Sequence, residues 1–165
     1  MVEANVCFPS DLKLLFQSAK KCLCVLGKLR LIIDLPGWGK HHYWYKRLTE
    51  SSFKVTKIYR NKGKGYQKRL KQVVKEHLAI CSKISIKIDS SLLIIKELIN
   101  QEAVTKASLM PLYEELVLFF AYFSKHQDLV KRRIIDGEKS RMRKSCFRYM
   151  NLIMSGLVKE RVIKK

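Results

Sequence analysis

The chain has 165 residues, 47% of them hydrophobic, with 34 Lys or Arg against 14 Asp or Glu and a formal net charge of +20. That length supports one domain with a real core, and that apolar content excludes a disordered polyelectrolyte. The charge imbalance selects a polyanionic partner, nucleic acid before an anionic membrane surface.

Residues 2–8, "VEANVCF", are β-leaning and end at Pro9, so they read as one short strand. Ser10 then stands where an N-cap belongs, with Asp11 in the first turn of a helix. Leu12, Leu14, Leu15, Ala19, Cys22, Val25 and Leu26 recur at threes and fours, which predicts an amphipathic helix over 11–33. "DLPGWGK" breaks it with a proline and two glycines. A second helix is expected over 41–61, and "NKGKGY" makes a joint before a long one over 66–99. Inside that span "KISIKID" spaces Ile84, Ile86 and Ile88 at period two, which suits a strand. The helix-like "HLAICSK" before it and "SLLIIKELI" after it, with no turn between, decide for helix. The last helix starts near Ala107 or Pro111 and runs to Ile135, with Gly137 in the usual C-terminal place. The expected fold is therefore mainly α: one short N-terminal strand, then long helices in an antiparallel bundle or hairpins.

The strongest chemical signal lies in residues 40–75. It holds Lys40, Lys46, Arg47, Lys54, Lys57, Arg60, Lys62, Lys64, Lys68, Arg69, Lys71 and Lys75 against a single acid, Glu50. Tyr43, Trp44, Tyr45, Tyr59 and Tyr66 are interleaved. Cations contact phosphate and aromatics can stack on bases, so the segment is the candidate DNA-binding surface. The competing reading is a solvated basic face whose aromatics belong to the core. The stripe Leu112, Leu116, Leu118, Phe119, Phe120 and Phe123 reads as core or as an interhelical seam.

Catalytic and metal sites find little support. The five cysteines, at 7, 22, 24, 81 and 146, have neither CxxC nor zinc spacing and read as free, buried thiols in a reducing compartment. His41 and His42 lack acidic or thiolate neighbours that would complete a metal site. No glycine-rich phosphate loop and no nucleophile–histidine motif is present. Met1 is followed by neither a basic start nor an apolar core, and the most apolar window, "LMPLYEELVLFFAYF", is short and carries Glu114 and Glu115. A cytoplasmic protein without a membrane partner is expected.

"MVEANVCFPSDLKLLFQSAKKCL" resembles a segment of bacterial insertion-sequence DDE transposases, in particular the ISNCY-type group. The matching positions are Val2, Glu3, Asn5, Phe8, Pro9, Ser10, Asp11, Leu14 and Leu15. "YFSKHQDLVKRRIIDGEK" is similar to the basic helix ending in "GEK" of the same group. The resemblance covers roughly residues 1–139. It implies that the strand is the end of a strand of a ribonuclease-H-like core. In that family three carboxylates hold two Mg or Mn ions for in-line attack on phosphate. Their positions lie upstream of Met1 and downstream of the "GEK" helix, so the resemblance implies no catalytic residue, metal ligand or cofactor here. It implies a DNA-binding piece of a transposase, catalytically inactive by itself.

Residues 140–165 have another character, with no acid before Glu160. Read as AAA TCC CGA ATG, residues 139–142 gain an Ile-Pro-Asn continuation when one A is inserted after the lysine codon. Synonymous codons for the remaining residues then permit "NEKVVFSIYEPHNEWISKGKGHK", which resembles the family's next motif. The expectation is that 140–165 is a poorly ordered out-of-frame tail, through decay or programmed frameshifting. Two other functions fit the same residues. One is a stand-alone basic helical module that binds DNA or inhibits an intact transposase. The other is a structural helical protein whose Leu/Phe stripe pairs with a partner.

Overall fold

The computed structural model describes residues 7–61, 63–101 and 103–138, with side chains for 11–61, 63–101 and 108–138. Among these residues four helices occur in chain order: α1 (Cys7–Leu29), α2 (His41–Arg60), α3 (Tyr66–Gln101) and α4 (Ala103–Val130). A π-helical turn, Lys131–Ile135, continues α4. No strand occurs among the described residues. The strand expected at 2–8 is corrected at its end, because Cys7 and Phe8 are the first residues of α1, while residues 2–6 lie outside the described ones. A proline in the first helical turn sacrifices no intrahelical bond, so the helix can begin at Cys7 with Pro9 as its third residue. Ser10 is thereby inside α1 and Asp11 lies in its second turn.

Cross-helix contacts give the topology. Lys20 lies over Tyr45 and His41 bonds to Leu23, so α1 and α2 run antiparallel. Ser51 meets His77, and Tyr59 meets Tyr66, so α2 and α3 do too. Gln127 bonds to Ser82 and Ser85 across α3 and α4. Asp11 meets Arg133, Ser18 meets His126 and Lys21 meets Phe119, which closes α4 back onto α1. The result is an up-down-up-down bundle of four helices.

The periodicity explains the packing. From Leu70 to Ile95 the buried residues of α3 are Leu70, Val74, His77, Cys81, Ile84, Ile88, Ser91 and Ile95. They alternate steps of four and three, a heptad seam. Ile84 and Ile88 are fully buried and Ile86 is 68% exposed, the pattern a helix gives to "KISIKID". In α4, Leu109, Leu116, Phe123 and Val130 are buried at intervals of seven. Two seam positions of α3 are polar, and each is matched from the other side of the bundle. Ser51 Oγ lies 2.7 Å from His77 Nδ1, and Trp38 donates its indole N–H to Ser91 Oγ at 2.7 Å. A slip of one helical turn would leave both pairs unmade, so they fix the register of α3 against α2 and its preceding loop. Gly37 (φ 82) makes that loop possible: its carbonyl accepts from Lys87 Nζ at 2.9 Å, and a Cβ there would sit 3.1 Å from the same nitrogen.

The chain leaves the π-turn through Gly137 (φ 76), and the Glu138 N–H returns to the Arg132 carbonyl at 3.0 Å. This is the C-terminal glycine read from the sequence, closing a turn one residue wider than an α-helix would. The expected out-of-frame segment, 140–165, lies outside the described residues.

Candidate nucleic-acid interface

At 100° per residue, Tyr43, Lys46, Arg47, Glu50, Phe53, Lys54, Lys57 and Arg60 fall within an arc of about 140° on α2. All eight are exposed, while Leu48, Ser51 and Val55 face the core. The arrangement follows from position. α2 packs chiefly on α3 and α1, and the eight residues of its outward side are exposed. Among the described residues the ion pairs are Arg132 with Asp128, Arg132 with Glu138 and Arg133 with Asp11. None involves the cations of α2. Five positive charges with one acid between them thus share one uncovered helical face, about 30 Å long by helix geometry.

The other cations of the segment separate. Lys40 is exposed in the loop before α2, and Lys62 lies outside the described residues. Arg69 donates to the Lys64 carbonyl at 3.2 Å on the turn side. Lys71 reaches the opposite flank and donates to the Ile135 carbonyl at 3.1 Å. Lys68 and Lys75 are exposed on α3. Residues 68, 69 and 71 are one to three apart, so a helix spreads them around its circumference. The sequence grouped them as one patch; the helix does not.

The aromatics divide as well. Trp44, Tyr45 and Tyr66 are half-buried against the core, the competing reading of the sequence, and Tyr59 is half-buried beside Tyr66. Burial raises the Tyr66 phenol above its ordinary value. Tyr43 stays 46% exposed and accepts a hydrogen bond from Arg47 at 2.9 Å, with the guanidinium carbon 5.5 Å from the ring centroid. Phe53 is 68% exposed, midway along the length of the cationic face and close to one edge of it. It was not among the aromatics singled out from the sequence, although its place seven after Lys46 and four before Lys57 is a readable signal. Lys13 and Lys20 of α1, also outside the sequence candidates, border the same side. Lys20 sits over Tyr45 at 5.7 Å, and a hydrogen bond with the Tyr45 hydroxyl holds its ammonium pKa above the ordinary value.

Beneath this face a cleft of about 330 Å³ opens between α1 and α2. Leu12, Phe16, Val55 and Tyr59 make its apolar walls, and His77 lies at its floor. His77 Nε2 is 3.8 Å from Cys81 Sγ. Burial lowers the His77 pKa to about 4 and pushes the Cys81 thiol up to about 12. Both groups are therefore neutral at pH 7, and a protonated thiol is no nucleophile. Ser18 and His126 also approach, at 3.4 Å, but the Ser18 hydroxyl is already bonded to the Leu14 and Leu15 carbonyls at 2.9 and 3.0 Å. Burial lowers the His126 pKa, against the pull of Asp11. Neither histidine has the geometry of a base poised on a free hydroxyl or thiolate.

Of the remaining candidates, His41 donates its Nε2–H to the Leu23 carbonyl at 2.6 Å and ties α2 to α1. Cys22 and Cys81 are buried free thiols as expected, whereas Cys24 is exposed. No cluster of three or more potential metal-ligating residues occurs among the described residues, and none of their helices is long and apolar enough to cross a membrane. Leu116 and Phe123 are core residues and Leu112, Phe119 and Phe120 pack on them, but Leu118 is 52% exposed and leaves the predicted stripe. Comparison with known protein families, curated proteins and solved structures finds no match to this chain.

Proposed function

We propose that this chain binds DNA through the outward face of α2, and that it is the helical segment of an insertion-sequence DDE transposase. The observation that carries the first part is the row Lys46, Arg47, Lys54, Lys57 and Arg60, uncovered and without carboxylate partners among the described residues. Cations held on a rigid helix and left unneutralised release counterions when they meet phosphates, which makes binding favourable and salt-sensitive. The second part rests on the "VEANVCFPSD" and "GEK" sequence motifs and on the alternative reading frame after Lys139. In this reading the chain contributes affinity for DNA, and the family's metal-dependent chemistry belongs to other segments.

A second reading, a stand-alone DNA-binding module, is favoured by one observation. The four helices enclose a shared core contributed by all of them. An inhibitor of an intact transposase would use the same face.

Fluorescence anisotropy of a labelled 20-base-pair duplex, titrated with the chain between about 50 and 300 mM salt, tests the binding. Five phosphate contacts at about 0.9 each predict a log–log slope near −4 to −5. A slope flatter than about −1 would remove the electrostatic basis of the proposal. The coding DNA tests the origin. An AAA TCC CGA ATG run at codons 139–142, with the second frame open downstream, is the expected result; a second frame that closes at once contradicts it.

A further inference from the structure

We propose that the α2 face takes single-stranded DNA in preference to duplex, with an unpaired base stacked on Phe53; this rests on the DNA-binding reading above. Phe53 is 68% exposed on a helix that buries Leu48 and Val55 and leaves one other large ring, Tyr43, exposed. Of its nearest helical neighbours Lys57, four after, is a cation, Glu50, three before, is the one acid of the face, and Thr49 and Thr56 are neutral; Lys46 and Arg60 lie two turns away, seven before and seven after. A ring on a face that carries five ammonium and guanidinium groups is a poor seat for an apolar protein partner, whose surface would have to desolvate those charges. It is a good seat for a polyanion that also carries flat apolar surfaces. Duplex DNA offers phosphates but keeps its base faces stacked inside; a single strand offers both.

A second platform lies on the same face. The Arg47 guanidinium rests over the Tyr43 ring and is hydrogen-bonded to its hydroxyl. Planar guanidinium groups stack on bases as aromatics do. Tyr43 and Phe53 are ten residues apart, about 15 Å along the helix axis. A flexible strand can place bases on both while its phosphates follow Lys46, Lys54 and Lys57. An unbent duplex presents only phosphates to the same row.

The test uses the full chain and one 20-nucleotide sequence, as a labelled single strand and as its duplex, at a fixed salt concentration. Tighter binding of the single strand is expected. Phe53→Ala should weaken single-strand binding by roughly 5- to 150-fold, the range for one base–aromatic stack. Duplex affinity and the salt slope should stay within about twofold, because no phosphate contact is lost. Phe53→Trp should restore the single-strand affinity, and Phe53→Leu, apolar without a π-face, should not. Equal losses on both substrates, rescue by leucine, or duplex preference in the unsubstituted chain would each overturn the proposal. So would phosphatidylserine vesicles binding through Phe53 while single-strand affinity is indifferent to it. If neither oligonucleotide binds, the DNA-binding reading itself fails; if both bind equally and Phe53→Ala changes nothing, only the single-strand preference fails.

Discussion

Asp11→Ala is expected to destabilise the bundle by about 3–5 kcal/mol, the usual effect of removing one partner of a buried ion pair. The Asp11 side chain is 6% exposed and that of Arg133 18%, and they join the start of α1 to the π-turn after α4. Without the carboxylate, a largely buried guanidinium keeps its desolvation cost and loses the charge of Asp11. Since a domain of this size is stable by about 5–15 kcal/mol, the melting temperature should fall on the order of 10 °C. Asp128→Ala is the internal control. Its pair with Arg132 is 59% and 47% exposed and should be worth under about 1 kcal/mol. The double variant Asp11→Leu/Arg133→Met should recover most of the loss, because it removes both charges together. A loss below 1 kcal/mol for Asp11→Ala, measured by urea denaturation, would mean that the pair is not buried in solution.

Stability should also fall with acid through His77. Burial depresses its folded pKa to about 4, from an ordinary value of 6.5. Between those values the unfolded chain binds the proton and the folded chain does not. The stabilising contribution is thus complete above pH 6.5 and is lost as pH falls toward 4. The size is about 3 kcal/mol, from a displacement of roughly two and a half units. Burial of His126 acts in the same direction. Urea denaturation between pH 7.5 and 4 measures the slope. His77→Gln removes the titrating group and should flatten it, although the variant starts less stable because its bond with Ser51 is rebuilt imperfectly. An equally steep slope in His77→Gln would place the acid sensitivity elsewhere.

Much of the fold was legible because helices write their contacts locally. The α1 periodicity, the break at "DLPGWGK" and Gly137 at the C-terminal end each follow from residues within one or two turns of one another. "KISIKID" could be settled only by its flanks, since three alternating isoleucines fit a half-buried strand equally well; Ile86 faces water, and a heptad seam passes on either side of it. What stayed illegible depends on distance in the chain. Asp11 read as a first-turn residue, and nothing local announces a partner 122 positions away. The strand at 2–8 failed at Cys7 and Phe8 because β-propensity is weak against a helix that can begin before a proline.

The candidate interface was legible as charge and illegible as shape. Composition located the basic segment. Only the helical arrangement separates the five cations that share one face of α2 from Arg69 and Lys71, which turn to opposite flanks of α3. Phe53 was overlooked because an aromatic between Ser52 and Lys54 looks like a core residue until the neighbouring helices show which side of α2 they occupy.

The central claim is that a particular face, and not net charge alone, binds DNA. Two variants that lose the same four charges test it most directly. One carries Lys46→Ala, Arg47→Ala, Lys54→Ala and Lys57→Ala on α2; the other carries Lys28→Ala, Lys96→Ala, Lys125→Ala and Lys131→Ala, all exposed and on other elements. Anisotropy with the same duplex, over the same salt series, gives the slope for each. The α2 variant should lose about 3 to 4 from the log–log slope and at least a hundredfold in affinity near 100 mM salt, while the other stays within about threefold of the unsubstituted chain. Equal losses in the two variants would contradict the account and leave DNA binding as a property of overall charge.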